Sequence, residues 1–131
     1  MSFLFLTVDS ITVHKAGEGG FWPFDTDAEW RVDISASSNL FNYSTTFSND
    51  SVSNNETFQL NDTWVFLTSP GEKIRLTVSG EEDDNFLRGG DDPLPGVTDL
   101  LLDPAAIGQD YQLRLENADY AFTLNFDAVF A

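Results

Sequence analysis

The stretch from Leu4 to Val13 reads Leu-Phe-Leu-Thr-Val-Asp-Ser-Ile-Thr-Val, and its aliphatic residues alternate with other residues. Such alternation is typical of a β-strand with one face in a core and the other toward solvent. The alternation changes phase at Asp9-Ser10, because the aliphatic residues before this point are even-numbered and those after it are odd-numbered. The phase change predicts a β-bulge or a strand that passes from one sheet to another.

The same alternation recurs along the chain and predicts about eight short strands in all. The alternating residues of the other strands are Trp30, Val32 and Ile34; Phe41, Tyr43, Thr45 and Phe47; Phe58 and Leu60; Trp64 and Phe66; Ile74, Leu76 and Val78; Tyr111, Leu113 and Leu115; and Tyr120, Phe122, Leu124 and Phe126. Turns are expected at Asn49-Asp50, Asn61-Asp62, Ser69-Pro70-Gly71 and Asn117-Ala118-Asp119. One helical turn is expected near Thr98–Ile107, where Pro104 fits a helix start. The pattern predicts an all-β fold, a single-domain antiparallel eight-stranded β-sandwich over residues 1–131.

Composition excludes several classes of function. The 131 residues include 22 acidic and 6 basic side chains, for a net charge of −16, which argues against a nucleic-acid partner and against simple electrostatic adhesion to anionic lipid. Hydrophobic residues make up 41% of the chain, too many for a disordered acidic tail. With no cysteine and a single histidine, His14, the chain lacks the ligands for a zinc site, and no nucleophile is identifiable beside that histidine. We expect a protein that is not an enzyme.

No targeting or membrane-spanning segment is evident in the sequence. The apolar run Ser2–Leu6 is short and lacks the basic start and the cleavage site of a signal peptide. No stretch approaches the ~18 apolar residues of a membrane-spanning helix. The expectation is a soluble protein, cytoplasmic by default.

Two long segments interrupt the alternation, residues Lys15–Asp27 and Ser79–Asp99. The second has one cation, Arg88, and seven acids, namely Glu81, Glu82, Asp83, Asp84, Asp91, Asp92 and Asp99. Crowded carboxylates repel one another, and a hard divalent cation relieves that repulsion. Calcium takes six to eight oxygen ligands and needs neither histidine nor cysteine, whereas magnesium prefers fewer carboxylates. The alternative interpretation is a solvated acidic surface.

Spacing selects the candidate ligands within these segments. Glu82 and Asp84 point the same way if the chain is extended, and Gly89-Gly90 would let it turn back toward Asp91 and Asp92. In the first segment two aspartates also stand two residues apart. The predicted calcium ligands are Asp25, Asp27, Glu82, Asp84, Asp91 and Asp92, with Asp83 as an alternative.

These segments resemble the calcium loops of a C2 domain, a calcium- and lipid-binding eight-stranded β-sandwich. The stretch Phe24–Val32 resembles the family's first loop, where an aspartate precedes a strand. Leu76-Thr77-Val78, the acids that follow, and Leu94-Pro95-Gly96 resemble its strand and third loop. The resemblance implies calcium held between loops at one end of the sandwich, often with membrane docking. The sequence departs from the family pattern at Phe21, which replaces the usual first aspartate, and in lacking a basic strand patch for phosphoinositides.

The aromatic residues leave other functions open. Phe21, Trp22 and Phe24 crowd one loop, where they could enter a bilayer interface, stack on sugar rings or cap the core. The alternation within their strands predicts that three aromatic residues face the core, namely Trp30, Trp64 and Tyr43. The sequence therefore predicts a calcium-binding module that binds a membrane or protein partner when calcium is present. The alternatives are a carbohydrate-binding or adhesion module and a structural assembly subunit with a solvated acidic face. The oligomeric state is left open.

Overall fold

The structure is a computed structural model that describes residues 1–17, 28–83, 92–108 and 110–131. These residues form nine β-strands and one short helix, in the order β1 (Ser2–Lys15), β2 (Ala28–Ser37), β3 (Asn42–Val52), β4 (Thr57–Thr68), β5 (Ile74–Asp83), β6 (Asp92–Pro93), β7 (Val97–Leu102), α1 (Pro104–Ile107), β8 (Tyr111–Glu116) and β9 (Ala121–Phe130). The predicted all-β class is confirmed.

The strands form two antiparallel sheets. One sheet has four strands in the order β4-β1-β9-β8, and the other has five, with β3-β2-β5-β6 in a row and β7 also paired with β5. Two strands were not predicted: β6, which the sequence placed in a loop and which pairs with the end of β5, and β7. The two strands predicted on either side of Asn61-Asp62 are one strand, β4. The predicted sandwich is confirmed, with one strand more than expected.

The core lies between the sheets and is filled by alternate residues of the long strands. Trp30, Phe66, Phe122 and Phe126 are the largest fully buried side chains. Each such residue contributes about 1.5–3 kcal/mol on burial. The period-2 pattern read from the sequence therefore identifies the inward faces of the two sheets.

The bulge predicted at Asp9-Ser10 is confirmed. The register of β1 shifts between Val8 and Ser10 against both of its neighbours, β4 and β9. The turn predicted at Asn61-Asp62 is wrong, because β4 continues through it as one strand. Asn61 has a φ of 52°, and asparagine tolerates this left-handed conformation better than most residues. It produces an irregularity in the strand instead of a reversal.

The turn predicted at Asn49-Asp50 is also wrong. Strand β3 continues to Val52, which pairs with Ala28. The chain reverses at residues 54–55 instead, and Asn55 there has a φ of 68°. The turn around Gly71, whose φ is 77°, and the one at Asn117-Ala118-Asp119 are confirmed.

The helical turn is shorter than predicted. Asp103 caps it by accepting a hydrogen bond from the backbone N–H of Ala105 at 3.1 Å, and Pro104 is its first residue. The first part of the expected range, residues 98–102, belongs to β7 instead. In the described part of the chain, no helix has the length and apolar character needed to cross a membrane.

Candidate functional site

The two long segments singled out in the sequence leave and enter adjacent strands at one end of the sandwich. Strands β2 and β5 are paired so that Glu29 lies opposite Asp83 and Trp30 opposite Glu82. Strand β6 returns the chain to the same place, with Asp92 opposite Glu82. The start of β2, the end of β5 and the start of β6 therefore lie side by side.

Glu82 is an acid buried in this end of the sandwich. Only 3% of its surface is exposed, because it occupies an inward position of β5. The hydroxyl of Tyr120, just before β9, donates a hydrogen bond to Oε2 of Glu82. The same hydroxyl lies 3.2 Å from Oδ2 of Asp92. One phenol thus joins two carboxylates from neighbouring strands across the gap between the sheets.

The buried side chain of Trp30 packs against Tyr120. Its ring packs edge-on against Tyr120, with centroids 6.1 Å apart and planes at 82°, and against Phe122 at 5.5 Å. Its Nε1–H donates a hydrogen bond to the carbonyl of Ala16 at 3.0 Å. A buried indole N–H needs such a partner. The contact also fixes the last described residues of the first long segment beside Tyr120.

Gly17 lies against the same pair of side chains. Its φ is +92°, a backbone conformation that glycine adopts without strain. A Cβ at this position would lie 2.5 Å from Cε1 of Tyr120 and 3.1 Å from Oε2 of Glu82. The backbone therefore approaches the carboxylate and the phenol more closely than any residue with a side chain would allow.

The turn between β8 and β9 fixes Tyr120. The side-chain oxygen of Asn117 accepts hydrogen bonds from the backbone N–H groups of Asp119 and Tyr120, each at 2.9 Å. Nζ of Lys15 donates to the carbonyl of Ala118 at 2.6 Å, which ties the turn to β1. Nδ2 of Asn117 lies 3.4 Å from the carbonyl of Pro93 on β6. The turn that carries the phenol is consequently tied to both sheets.

The electrostatic environment keeps the Tyr120 hydroxyl protonated. Burial raises its pKa above the ordinary value, and the hydrogen bond and negative charge of Glu82 and then the charge of Asp92 raise it further. The hydroxyl therefore remains a donor at every physiological pH. Hydrogen bonds from neutral donors to a carboxylate stabilise its charged form.

Asp83 faces the opposite side of β5. It lies with Glu29, Asp50 and Glu81 around a cleft of about 190 Å³ on the outer surface of the five-stranded sheet. The pKa of Glu29 is raised by desolvation and by the negative charges of Asp50 and Asp83. We call these four residues the outer acidic cluster. Glu82 is separated from this cluster by the thickness of the sheet, although it is next to Asp83 in the sequence.

A third group of acids lies on the outer face of the four-stranded sheet. Asp9, at the bulge of β1, shares a hydrogen bond with Asp127 of β9. Oδ1 of Asp127 also accepts a hydrogen bond from the backbone N–H of Asp110 at 2.7 Å. Burial, the hydrogen bond and the charge of Asp127 raise the pKa of Asp9 to about 6, while the same hydrogen bond lowers the pKa of Asp127. Asp9 therefore keeps its proton to a higher pH than an ordinary aspartate does, and in that form it donates to Asp127.

The structure brings together two of the seven predicted ligands, Glu82 and Asp92. It places Asp83 on the other face of β5. The remaining four, Asp25, Asp27, Asp84 and Asp91, lie outside the described residues, as do the loop aromatics Phe21, Trp22 and Phe24. Among the described residues, no group of three or more acidic or histidine side chains has the arrangement of a metal site. The described residues therefore contribute two carboxylates and one phenol to the candidate site.

Sequence reasoning missed Tyr120. Its position at the start of the last strand was predicted, but nothing in the sequence links it to Glu82, which lies 38 residues earlier. The three aromatic residues that were predicted to face the core do so, since Trp30 and Trp64 are buried and Tyr43 is half-buried. His14 forms a hydrogen bond with the hydroxyl of Thr123 at 2.7 Å on the four-stranded sheet.

Comparison with known proteins identifies the fold. No family model matches the sequence, and no curated protein matches it. Among solved structures, a C2 domain of plant extended synaptotagmin 1 is similar, with a TM-score of 0.52 and 13% sequence identity over 98% of this chain and 93% of that one. The chain thus has a C2-like β-sandwich fold, as the sequence resemblance implied.

Proposed function

We propose that this chain is a non-enzymatic calcium-binding module. Its ion site would lie at the end of the sandwich where residues 18–27 and 84–91 connect the strands. The observation that carries the proposal is the convergence of Glu82 and Asp92, from β5 and β6, on the hydroxyl of Tyr120. This pair lies where both acidic segments begin or end.

The donor set suits calcium better than other metals. Glu82 and Asp92 supply carboxylate oxygens, and the neighbouring segments add aspartates but no cysteine or histidine. The proposed ligands are Asp25, Asp27, Glu82, Asp84, Asp91 and Asp92. Asp83 is the least favoured of the candidates, because its side chain lies with the outer acidic cluster. Calcium would supply positive charge that offsets the repulsion among these acids.

Two features of the described residues would organise such a site. The Tyr120 hydrogen bond holds a buried carboxylate in one orientation, and preorganised ligands lose less conformational entropy on binding. Gly17 leaves room for the first segment to approach the second without a side chain between them. The metal would then lower the local negative charge and so favour a membrane or an acidic protein surface as the partner.

Calorimetric titration of the metal-stripped protein with calcium tests the proposal. We expect saturable binding that magnesium at the same concentration does not reproduce. The variant Glu82→Gln/Asp92→Asn should weaken binding at least tenfold. The variant Glu81→Gln/Asp83→Asn removes the same charge from the outer acidic cluster and should bind within about threefold of the wild type. Absence of calcium binding at millimolar concentration, or equal losses in the two variants, contradicts the proposal.

A further inference from the structure

Four acceptor sequences for N-linked glycosylation lie close together in the chain. Such a sequence is an asparagine followed two positions later by serine or threonine, with any residue except proline between them. Four of the nine asparagines meet this rule, although only 22 of the 131 residues are serine or threonine, so the number exceeds what the composition predicts. All four fall between residues 42 and 63, as Asn42-Tyr43-Ser44, Asn49-Asp50-Ser51, Asn55-Glu56-Thr57 and Asn61-Asp62-Thr63.

The structure places these sequences on one side of the sandwich. They occupy β3, β4 and the turn between them, and these two strands are edge strands of the five-stranded and the four-stranded sheet. The two edges lie next to each other, because the hydroxyl of Tyr43 on β3 donates a hydrogen bond to the carbonyl of Val65 on β4 at 2.6 Å. The hydroxyl of Thr45 also donates to Asp62. We call β3, β4 and their turn the paired edge.

Three of the four asparagines have the exposure that the modification requires. Asn42, Asn55 and Asn61 are exposed, and so is the serine or threonine two residues after each of them. Among the described residues, no partner is hydrogen-bonded to the side-chain amides of these three asparagines. Asn49 differs, because it is half-buried and its side-chain oxygen accepts a hydrogen bond from the backbone N–H of Ser51 at 2.8 Å. The candidate acceptors are therefore the first three.

The paired edge lacks the short length, the proline and the lysine that commonly keep an edge strand from pairing with another chain. Strands β3 and β4 have 11 and 12 residues, and neither contains proline or lysine. The strands at the opposite edges are short, since β6 has 2 residues and β7 and β8 have 6 each. In addition, β6 ends at Pro93, and β8 carries the charged residues Arg114 and Glu116. A bulky polar group would protect the paired edge, and all four acceptor sequences lie there.

We propose that Asn42, Asn55 and Asn61 carry N-linked glycans, which shield the paired edge. In the transfer, the side-chain nitrogen of the asparagine forms a bond to the anomeric carbon of a sugar, and the bond from that carbon to the diphosphate of a lipid-linked donor breaks. The diphosphate leaves with the electron pair of that bond, and the amide nitrogen gives one proton to a base of the transferase. This transfer takes place outside the cytoplasm or in the lumen of the secretory pathway. The proposal therefore assigns the chain to an exported location in place of the cytoplasmic default.

The three sites are far enough apart to be occupied together. Asn42 is the first residue of β3, and Asn55 lies in the turn that follows this strand. At ~3.3 Å per residue, β3 separates these two sites by roughly 33 Å, and Asn61 lies roughly 20 Å from Asn55 along β4. Glycans at the three sites would therefore extend along the whole paired edge.

Mass spectrometry of the full chain, purified from the cells that produce it, tests the proposal. We expect an intact mass above that of the polypeptide, and a return to the polypeptide mass after an amidase removes N-linked glycans. That amidase converts each glycosylated asparagine to aspartate, so peptide mapping locates the sites. Conversion is expected at Asn42, Asn55 and Asn61. It should not occur at Asn49 or at Asn39, an exposed asparagine outside any acceptor sequence. An unmodified wild type, or conversion at Asn39, overturns the proposal.

A matched pair of variants tests the acceptor rule without changing an asparagine. Ser44→Ala/Thr57→Val/Thr63→Val removes the three hydroxyls and should lose all of the added mass. Ser44→Thr/Thr57→Ser/Thr63→Ser exchanges one permitted residue for the other and should keep it. Added mass that persists in the first variant overturns the proposal.

Light scattering of the wild type before and after the amidase tests the shielding of the paired edge. The deglycosylated protein should aggregate at least about twofold faster, because its two long edges are then free to pair with other copies. Equal aggregation before and after the treatment overturns the shielding. None of these outcomes depends on calcium binding.

Discussion

Glu82 and Glu81 are neighbours in the sequence, but they belong to two different acidic regions. Glu82 is buried between the sheets, where Tyr120 donates a hydrogen bond to it and also reaches Asp92. Glu81 lies in the outer acidic cluster on the solvent side of the same sheet. Both regions are rich in carboxylates, but Glu82 has the phenol of Tyr120 as a hydrogen-bond donor, the ring of Trp30 packed against that phenol, and the backbone of Gly17 close by.

The difference arises from the two-residue repeat of a β-strand. Successive side chains of β5 point to opposite faces, so one step along the chain exchanges a buried position for an exposed one. A buried acid needs partners because its desolvation is unfavourable. An exposed acid is stabilised by water. A count of acidic residues in a segment therefore overstates how many can share one ion.

Removing the buried carboxylate should have the largest effect on stability. Glu82→Ala leaves the Tyr120 hydroxyl with Asp92 as its one carboxylate partner and opens a space in the core. We expect it to lower the free energy of unfolding by about 1–3 kcal/mol in calcium-free buffer. Glu81→Ala, at the adjacent position on the outer face, should change it by less than about 0.5 kcal/mol. Urea denaturation of both variants measures the difference, and equal effects would mean that the two regions are not distinct.

A methyl group at Gly17 should disturb the buried region alone. Gly17→Ala forces a Cβ to within 2.5 Å of the Tyr120 ring. Gly71→Ala is the matched control, because its φ is also positive but no atom lies within 4 Å of the added Cβ. Both variants carry backbone strain, so the steric effect appears as the difference between them. We expect Gly17→Ala to be less stable than Gly71→Ala by about 1 kcal/mol in thermal melts.

One result would contradict the prediction for Gly17→Ala. Two alanine variants that melt at the same temperature would show that the first segment can move away from Tyr120 and Glu82 without loss. The close approach would then make no contribution to the buried region.

Asp9 and Asp127 are half-buried acids, intermediate between the buried Glu82 and the exposed Glu81. The pKa of Asp9 is raised to about 6 from its ordinary value of 3.8. The protonated side chain therefore stabilises the folded state fully below pH ~4, and this stabilisation is lost as the pH rises through ~6. In Asp9→Asn the amide donates to Asp127 at every pH. We expect this variant to melt roughly 3 °C above the wild type at pH 7.5 and within about 1 °C of it at pH 4.5.

The pH dependence is the decisive part of that experiment. Asp99→Asn removes one charge elsewhere on the surface and should show a difference from the wild type that hardly changes with pH. A constant gain for Asp9→Asn across the range would mean that the pKa of Asp9 is not raised in the folded protein.

Much of the fold follows from local pattern, as β1 illustrates. Its alternation identified the buried face, and the phase change at Asp9-Ser10 identified the bulge. Where the sequence interpretation failed, the local signal was ambiguous. Asn61 and Asn49 occur in turns often enough to predict reversals, but pairing with β1 and β2 keeps both in strands. Partner strands far away in the sequence override a local turn preference.

The candidate site was less predictable than the fold. The spacing of Glu82 and Asp92 could not show that both reach one phenol, because Tyr120 lies at the start of the last strand. The sequence placed Asp83 opposite Glu82 only if the chain is extended there, and the structure shows that β5 does continue through residues 81–83. Contacts between distant strands depend on the topology of the sheets, and alternation within one strand does not specify topology.

The most direct test of the calcium site is a calcium titration followed by backbone amide chemical shifts. We expect the largest shifts at Gly17, Glu82, Asp92 and Tyr120, with the outer acidic cluster nearly unchanged and EDTA restoring the original spectrum. An unchanged spectrum at millimolar calcium, or shifts centred on Glu29, Asp50 and Glu81 instead, would contradict it.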